Sequence, residues 1–242
     1  MMIFKKKPAD RYIIILTVLF GLVLLCAIWI GLYYKIQSEQ QQELEAARKE
    51  TANYARMFEE HTIRTLRGLD EITIYIKHQA EEHGLNVDLV KLTKERMLEG
   101  QPFSSLGIID ENGDLIASGR GSLPNVNIRD REAFRVHKDV DSNKLYVGMP
   151  LVGRVSGQVS IHMSRRINKP DGSFGGIIFI GIDPNYFGEF YKQIDLGANS
   201  VIALIGRDGI ARVRQSGTEV QVGADFSDYP EVMNTLAGSG SG

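Results

Sequence analysis

The nucleophilic, acidic and basic side chains in this sequence do not form a recognisable catalytic set. The sequence has five histidines, and no two stand four residues apart as in a helical zinc motif. It contains no nucleophile elbow, no phosphate-binding Walker loop and no paired-cysteine motif. The sequence therefore predicts that this segment is not an enzyme and that it uses no metal and no cofactor.

Single charged and aromatic residues in the middle of the chain suit binding instead. The guanidinium of Arg131 can fork onto a carboxylate through two charge-assisted hydrogen bonds. A simpler reading stands beside this one, because Arg131 can also pair with Asp130 or Glu132 on a solvated face. Asp183 can likewise serve only as the cap of the following helix.

An apolar run at residues 12–34 precedes all of these residues and contains neither a charge nor a proline. About 23 helical residues reach roughly 35 Å, which is enough to cross the hydrocarbon core of a bilayer. Lys5, Lys6, Lys7 and Arg11 come before it, so the positive-inside rule predicts a cytoplasmic tip at 1–11 and an exported remainder. The run ends in aromatic residues rather than a small-residue cleavage site, which favours an uncleaved anchor over a signal peptide.

Composition limits the remaining alternatives. A net charge of −2 gives no electrostatic case for binding nucleic acid. The one cysteine, Cys26, lies inside the apolar run, so disulfides do not staple the exported part. That pattern suits a bacterial periplasm, which predicts residence in the inner (plasma) membrane with the lipid bilayer as a partner.

A polar, helix-prone segment at 35–99 follows the anchor. Apolar and small residues recur at spacings of three and four and predict one long helix ending at His83–Gly84. This stripe predicts packing on the helix's own domain together with a parallel homodimer contact near the membrane; it comprises Leu44, Ala47, Thr51, Tyr54, Phe58, His61, Thr65, Leu69, Ile72 and Ile76. His61 and His78 are interpreted as surface or seam residues of this helix. Asn86 is predicted to cap a second helix from Val87 to about Leu98, closed by Gly100.

Strand-like patterning begins after Pro102. Apolar runs flank an Asn-Gly turn at 111–114, and the same pattern returns about 95 residues later around 207–209. Two such hairpins predict two copies of one small α/β module. The first, at 100–194, continues with a short helix capped by Asp130, three strands, and a helix begun by Asp183–Pro184. Within it, Arg165–Arg166 is read as a solvated strand end.

The fold class predicted is therefore α/β (α+β), with a transmembrane helix continuing into a long helix and tandem modules with antiparallel sheets. The second module, at 195–242, is expected to be incomplete, as in a segment of a longer receptor. The glycine–serine run at its end reads equally well as a native loop or as an added tail.

Several short motifs in order resemble the double Cache domain, the tandem PAS-like (PDC) sensor found in bacterial membrane receptors. The resemblance covers about residues 35–236 and is nearest to versions ahead of diguanylate cyclases, cyclic-di-GMP phosphodiesterases and sensor histidine kinases. The motifs lie at 130–137, 153–157, 164–168, 171–176, 195–197 and 207–209.

The resemblance implies a ligand pocket in the membrane-distal module. In amino-acid-binding relatives an arginine engages the ligand carboxylate and a later aspartate engages its amine, which here correspond to Arg131 and Asp183. Ala133 replaces an aromatic wall, so a different or larger molecule is an equal alternative to an amino acid. His137 and His162 are added as possible pocket donors by residue type. The candidate ligand-binding residues, each with a purely structural alternative, are thus Arg131, Phe134, Tyr146, Asp183, His137 and His162.

The function predicted is thus an extracytoplasmic sensor for an amino acid, amine or carboxylate. It would drive a cytoplasmic output domain, either for cyclic-di-GMP turnover or a histidine kinase. The alternative is a membrane-anchored adhesion or scaffold domain that binds no ligand. A third reading, a periplasmic hydrolase, is opposed by the lack of a catalytic set in the sequence.

Overall fold

The computed structural model describes residues 8–94, 102–192, 194 and 200–238. The basic residues 5–7, the predicted helix end at Gly100, the motif at 195–197 and the glycine–serine run at 239–242 lie outside these residues. Five helices and eight strands occur in the described residues: α1 (Pro8–His83), α2 (Leu89–Lys94), β1 (Phe103–Asp110), β2 (Leu115–Ser118), α3 (Glu132–Asp139), β3 (Tyr146–Val152), β4 (Val159–Asn168), β5 (Phe174–Ile182), α4 (Pro184–Lys192), β6 (Val201–Ile205), β7 (Ala211–Ser216), β8 (Glu219–Gln221) and α5 (Pro230–Gly238).

The chain divides into two compact units, Met1–Glu59 and Glu60–Gly242. The described part of the first unit is helical and carries the apolar run, and the large side chains described in that run are exposed. By length and composition this helix is able to cross a membrane. Both sheets belong to the second unit.

In the second unit, α1 uses the predicted stripe as a packing face. Leu69, Ile72 and Ile76 are buried, as is Thr65. His61 corrects the surface interpretation, because its ring stacks 3.6 Å from the ring of Phe190 on α4. The helix ends at His83, and Gly84 follows with a φ of 90°, as its sequence predicts.

The first sheet is antiparallel and has the order β2-β1-β5-β4-β3. Its central strand β5 is almost wholly buried, which explains its near-continuous apolar sequence. Side chains alternate between the two faces along each strand. On β4, Ser164 and Arg166 contact α3, while Arg165 between them contacts α1. The sheet therefore lies between α1 and α3.

The predicted hairpin repeat is visible in matching hydrogen bonds. Gly113 accepts a bond from the Ile128 N–H, and Gly209 accepts the equivalent bond from Phe226. Both glycines have positive φ, at 93° and 80°. A Cβ on Gly113 would lie 2.9 Å from Arg129, and one on Gly209 would lie 2.8 Å from Ser227. Both hairpin turns thus need glycine for the same reason, a left-handed backbone under a close segment.

Three local predictions are wrong. Asp88 rather than Asn86 caps α2, because its Oδ1 accepts a hydrogen bond from the Lys91 N–H. Arg131 holds the N-cap position of α3 without a side-chain cap bond, since the Asp130 carboxylate is turned toward an arginine. The pair Arg165–Arg166 is buried within β4, at 4% and 6% exposure, because both guanidinium groups have partners on distant elements.

Candidate ligand-binding site

An open pocket lies on the α3 side of the five-stranded sheet. Its floor comes from β5, its sides from β3 and β4, and its rim from the segment that leads into α3. Most of the wall is apolar, and the polar groups are few. The lining residues that matter for recognition are Arg131, Glu132, Tyr146, Arg154 and His162.

Arg131 is half-buried at the rim and immediately precedes α3. Its extended backbone (φ −78°, ψ 145°) lets the helix begin at the next residue. One terminal nitrogen donates a hydrogen bond to the Val152 carbonyl at 3.3 Å, and among the described residues Arg131 forms no ion pair. The guanidinium therefore keeps donors for an anionic group of a ligand.

Tyr146 begins β3 and faces Glu132, the first residue of α3. Burial, and then the Glu132 carboxylate through hydrogen bonding and charge, raise the pKa of the Tyr146 hydroxyl above its usual value. The phenol therefore keeps its proton at neutral pH and acts as a hydrogen-bond donor in the pocket.

His162 of β4 contributes a neutral ring to the lining. Burial, with a smaller contribution from the charge of Arg131, lowers the pKa of His162 to about 4. Its Nδ1 is buried and has no hydrogen-bond partner among the described residues. The imidazole is thus uncharged at neutral pH and leaves Arg131 as the cation of the inner rim.

Arg154 is a lining residue that the sequence did not single out. It lies between β3 and β4, and its guanidinium donates two hydrogen bonds, of 2.6 and 2.7 Å, to the carboxylate of Asp130. A third bond, at 2.7 Å, goes to the Asn127 carbonyl. The bond from Arg154 lowers the pKa of Asp130 to about 2. The one feature of the sequence that points to Arg154 is its place in the motif at 153–157. Its distance of 24 residues from Asp130 in the sequence does not indicate that the two side chains pair.

Phe134 and His137 of α3 stand behind the pocket wall rather than in it. Phe134 is fully buried and meets Phe174 edge to face at 5.3 Å. The Nε2 of His137 lies 3.1 Å from the Ser164 hydroxyl, and its ring packs at 6.2 Å against the ring of Tyr146. Burial lowers the pKa of His137. In the structure both residues support the wall by packing.

Asp183 is not brought together with Arg131 and Tyr146. It follows β5 on the exposed surface, and its Oδ1 accepts hydrogen bonds from the backbone and side-chain nitrogens of Asn185. These are the contacts of a helix cap, the alternative that the sequence left open. The pocket thus gathers Arg131, Tyr146 and His162 of the six predicted residues, and adds Glu132 and Arg154.

Solved structures share this fold, whereas no protein-family model and no curated protein sequence matches the chain. The extracellular domain of rpHK1S-Z16, assigned as a histidine kinase, matches with a TM-score of 0.68 at 27% identity, over 78% of each chain. The sensor domain of the Vibrio cholerae histidine kinase DctB matches with a TM-score of 0.51 at 15% identity, over 72% of this chain and 68% of that one.

The ligand-binding domain of the Pseudomonas fluorescens chemoreceptor CtaA, solved in complex with L-serine, has a TM-score of 0.54 at 15% identity. The match covers 68% of this chain and 72% of that one. These neighbours are extracellular or ligand-binding domains of signalling proteins, not catalytic domains. Together with the antiparallel sheets behind a long N-terminal helix, they confirm the resemblance stated from the sequence: the chain has the fold of a Cache-type, PDC-like sensor domain.

Proposed function

We propose that this chain is the extracytoplasmic sensing region of a transmembrane receptor and that the pocket beside α3 receives a small molecule. The observation that carries the proposal is Arg131, a half-buried guanidinium at the rim of an otherwise apolar pocket, with no ion pair among the described residues. Such a group binds a carboxylate through charge-assisted bonds, and the apolar wall strengthens them by excluding water.

The ligand class proposed is an amino acid, an amine or a carboxylate. A structural neighbour, CtaA, was solved with L-serine, which supports a ligand of this size and polarity. The small side chain of Ala133 lines the rim where the motif of the relatives has an aromatic residue, which leaves space for a ligand of a different shape.

The receptor is proposed to sit in a bacterial inner membrane, with the basic tip in the cytoplasm and both sheets in the periplasm. Ligand occupancy would pass along α1 through the bilayer to a cytoplasmic output domain, in parallel homodimers. Either a histidine kinase or a domain for cyclic-di-GMP turnover suits this role. Two of the neighbours are described as histidine-kinase sensor regions, which supports the first of these outputs.

The test is a thermal-shift screen of amino acids, amines and carboxylates on the full chain in lipid nanodiscs. A hit is repeated with Arg131→Ala and with Arg135→Ala as the matched control, because Arg135 is an exposed arginine of α3 outside the pocket lining. Loss of the shift in the first variant alone supports the proposal. Equal shifts in both variants, or no hit in the whole screen, would favour an adhesion or scaffold role instead.

A further inference from the structure

Glu132 is the acidic side chain of the pocket. Of the described residues that line it, Glu132 alone carries a carboxylate. It opens α3 directly after Arg131, and the structure places both charges at one rim. The sequence had offered Glu132 only as a surface partner of Arg131, yet the described residues form no ion pair between the two.

The charges around the pocket leave one cation and one anion unmatched. Arg154 is neutralised by Asp130 through two hydrogen bonds. His162 is neutral, because burial keeps its pKa far below 7. Arg131 donates to a carbonyl, and Glu132 has no cationic partner among the described residues. A ligand that carries one negative and one positive group would match both of these charges.

The Tyr146 hydroxyl faces the carboxylate of Glu132. The phenol holds its proton and faces the carboxylate, so it is oriented as a donor toward Glu132. A carboxylate has about four acceptor positions, and one donor leaves the others for the N–H groups of an ammonium ion. Asp183, the acid that the sequence offered for this task, is engaged by Asn185 outside the pocket.

Resting on the function proposed above, we infer that Glu132 receives the ammonium group of a zwitterionic ligand whose carboxylate is held by Arg131. The ligand is an α-amino acid with an aliphatic side chain. This choice follows from the apolar remainder of the lining, which consists mainly of branched and aromatic side chains; it includes Ile128, Leu151, Val155, Ile177 and Phe179.

The test compares three matched compounds on the full chain in nanodiscs by calorimetry. L-leucine carries both charges, 4-methylpentanoate lacks the ammonium, and 3-methylbutylamine lacks the carboxylate. We expect leucine to bind tightest. Glu132→Gln should weaken leucine at least tenfold and change 4-methylpentanoate less than threefold. Asp183→Asn is the matched control and should leave leucine affinity unchanged, with the melting temperature of each free variant recorded.

The outcomes separate the two proposals. If Glu132→Gln leaves leucine affinity unchanged while Arg131→Ala abolishes carboxylate binding, the inference fails and the sensor function stands. If Arg131→Ala also changes nothing, both fail. Equal affinity for leucine and 4-methylpentanoate in the unaltered chain, or no binding by any of the three compounds, also overturns the role of Glu132.

Discussion

Three histidines of the second unit, His61, His137 and His162, show that burial is the largest cause that lowers the pKa of a ring in this fold. His162 and His137 lie against the same sheet face, and desolvation is the largest cause that lowers the pKa of each. The pKa of His61, which packs against α4, is lowered first by burial and then by Arg64. Each of these rings therefore binds a proton less readily in the folded protein than in the unfolded chain.

Acidification is expected to destabilise the protein through His162. Its folded pKa of about 4 lies below the ordinary value of 6.5, so between these values the unfolded state binds more protons. The free energy of unfolding should therefore fall as the pH drops from about 6.5 to 4, by ~1–3 kcal/mol from this residue. His162→Gln should flatten the fall in melting temperature between pH 7 and 4.5, measured by circular dichroism in detergent.

The matched control is His78→Gln, because His78 is an exposed histidine of α1. That variant should keep the pH dependence of the unaltered protein. A steep loss of stability that is identical in the His162 variant would show that its ring is not the buried, neutral group described above.

The sequence alone identified some of the residues that line the ligand pocket. Arg131 and Tyr146 were found because the motifs around them resemble a known family. Arg154 was not, because its partner Asp130 is 24 residues away and an exposed Arg–Asp pair leaves no periodic signal. Asp183 was ambiguous, since one carboxylate before a proline suits a cap and a ligand site equally well. Only the three-dimensional direction of the side chain distinguishes these two roles.

Buried arginines join β4 to the helices on both sides of the sheet. Arg165 contacts Asp70 of α1, the Thr73 hydroxyl at 3.4 Å, and the Asn143 carbonyl in the loop before β3. Arg166 reaches the last turn of α3 through the His137 carbonyl at 2.6 Å. The loop that precedes Tyr146 in the pocket is thus linked to α1 through one side chain.

The strands were predicted more reliably than these links. The hairpins could be predicted because apolar residues alternate with a period of two on either side of a glycine turn. Strand β5 could be predicted from its continuous apolar run. The burial of Arg165 was not readable, because Asp70 lies 95 positions earlier in the sequence. Local patterning carries information about periodic structure, but not about which polar groups meet across the core.

Asp70→Asn is expected to lower stability by about 2–4 kcal/mol, because it leaves the guanidinium of Arg165, which is 4% exposed, without its counter-charge. The measurement is chemical denaturation of the full chain in detergent. Asp141→Asn is the matched control. Asp141 is 61% exposed and lies 3.4 Å from the neighbouring buried Arg166, so its loss should cost less than about 1 kcal/mol. Equal costs for the two variants would contradict the role of Arg165 as a buried link.

The charges that flank the apolar run determine how the whole chain is oriented in the membrane. The positive charges before the apolar run predict that everything after it is exported. Alkaline phosphatase joined after Gly84, the exposed residue that follows α1, should be active in cells. Green fluorescent protein at the same junction, the matched control, should be dark because it does not mature after export in unfolded form. The reverse pattern would place the sheets in the cytoplasm and remove the basis for an extracytoplasmic sensor.

We also expect a parallel homodimer along the membrane-proximal part of α1. From Thr65 to Ile76 the stripe is buried within its own unit, so that part is not available to a partner. Closer to the membrane, Ala47 and Leu44 are exposed on the same stripe, with Leu44 at 55%. Two anchored copies would bury these side chains against each other.

Cysteine cross-linking tests this arrangement in membranes, after Cys26, the one native cysteine, is replaced by alanine. We expect Ala47→Cys to form disulfide dimers readily on mild oxidation. Lys49→Cys is the control, because two residues further along a helix is about 200° around its axis and points away from the seam. Leu69→Cys, on the buried part of the stripe, should not cross-link. Equal yields at 47 and 49 would indicate random collision in the bilayer, and no yield at 47 would leave the stripe as a face for packing within one chain.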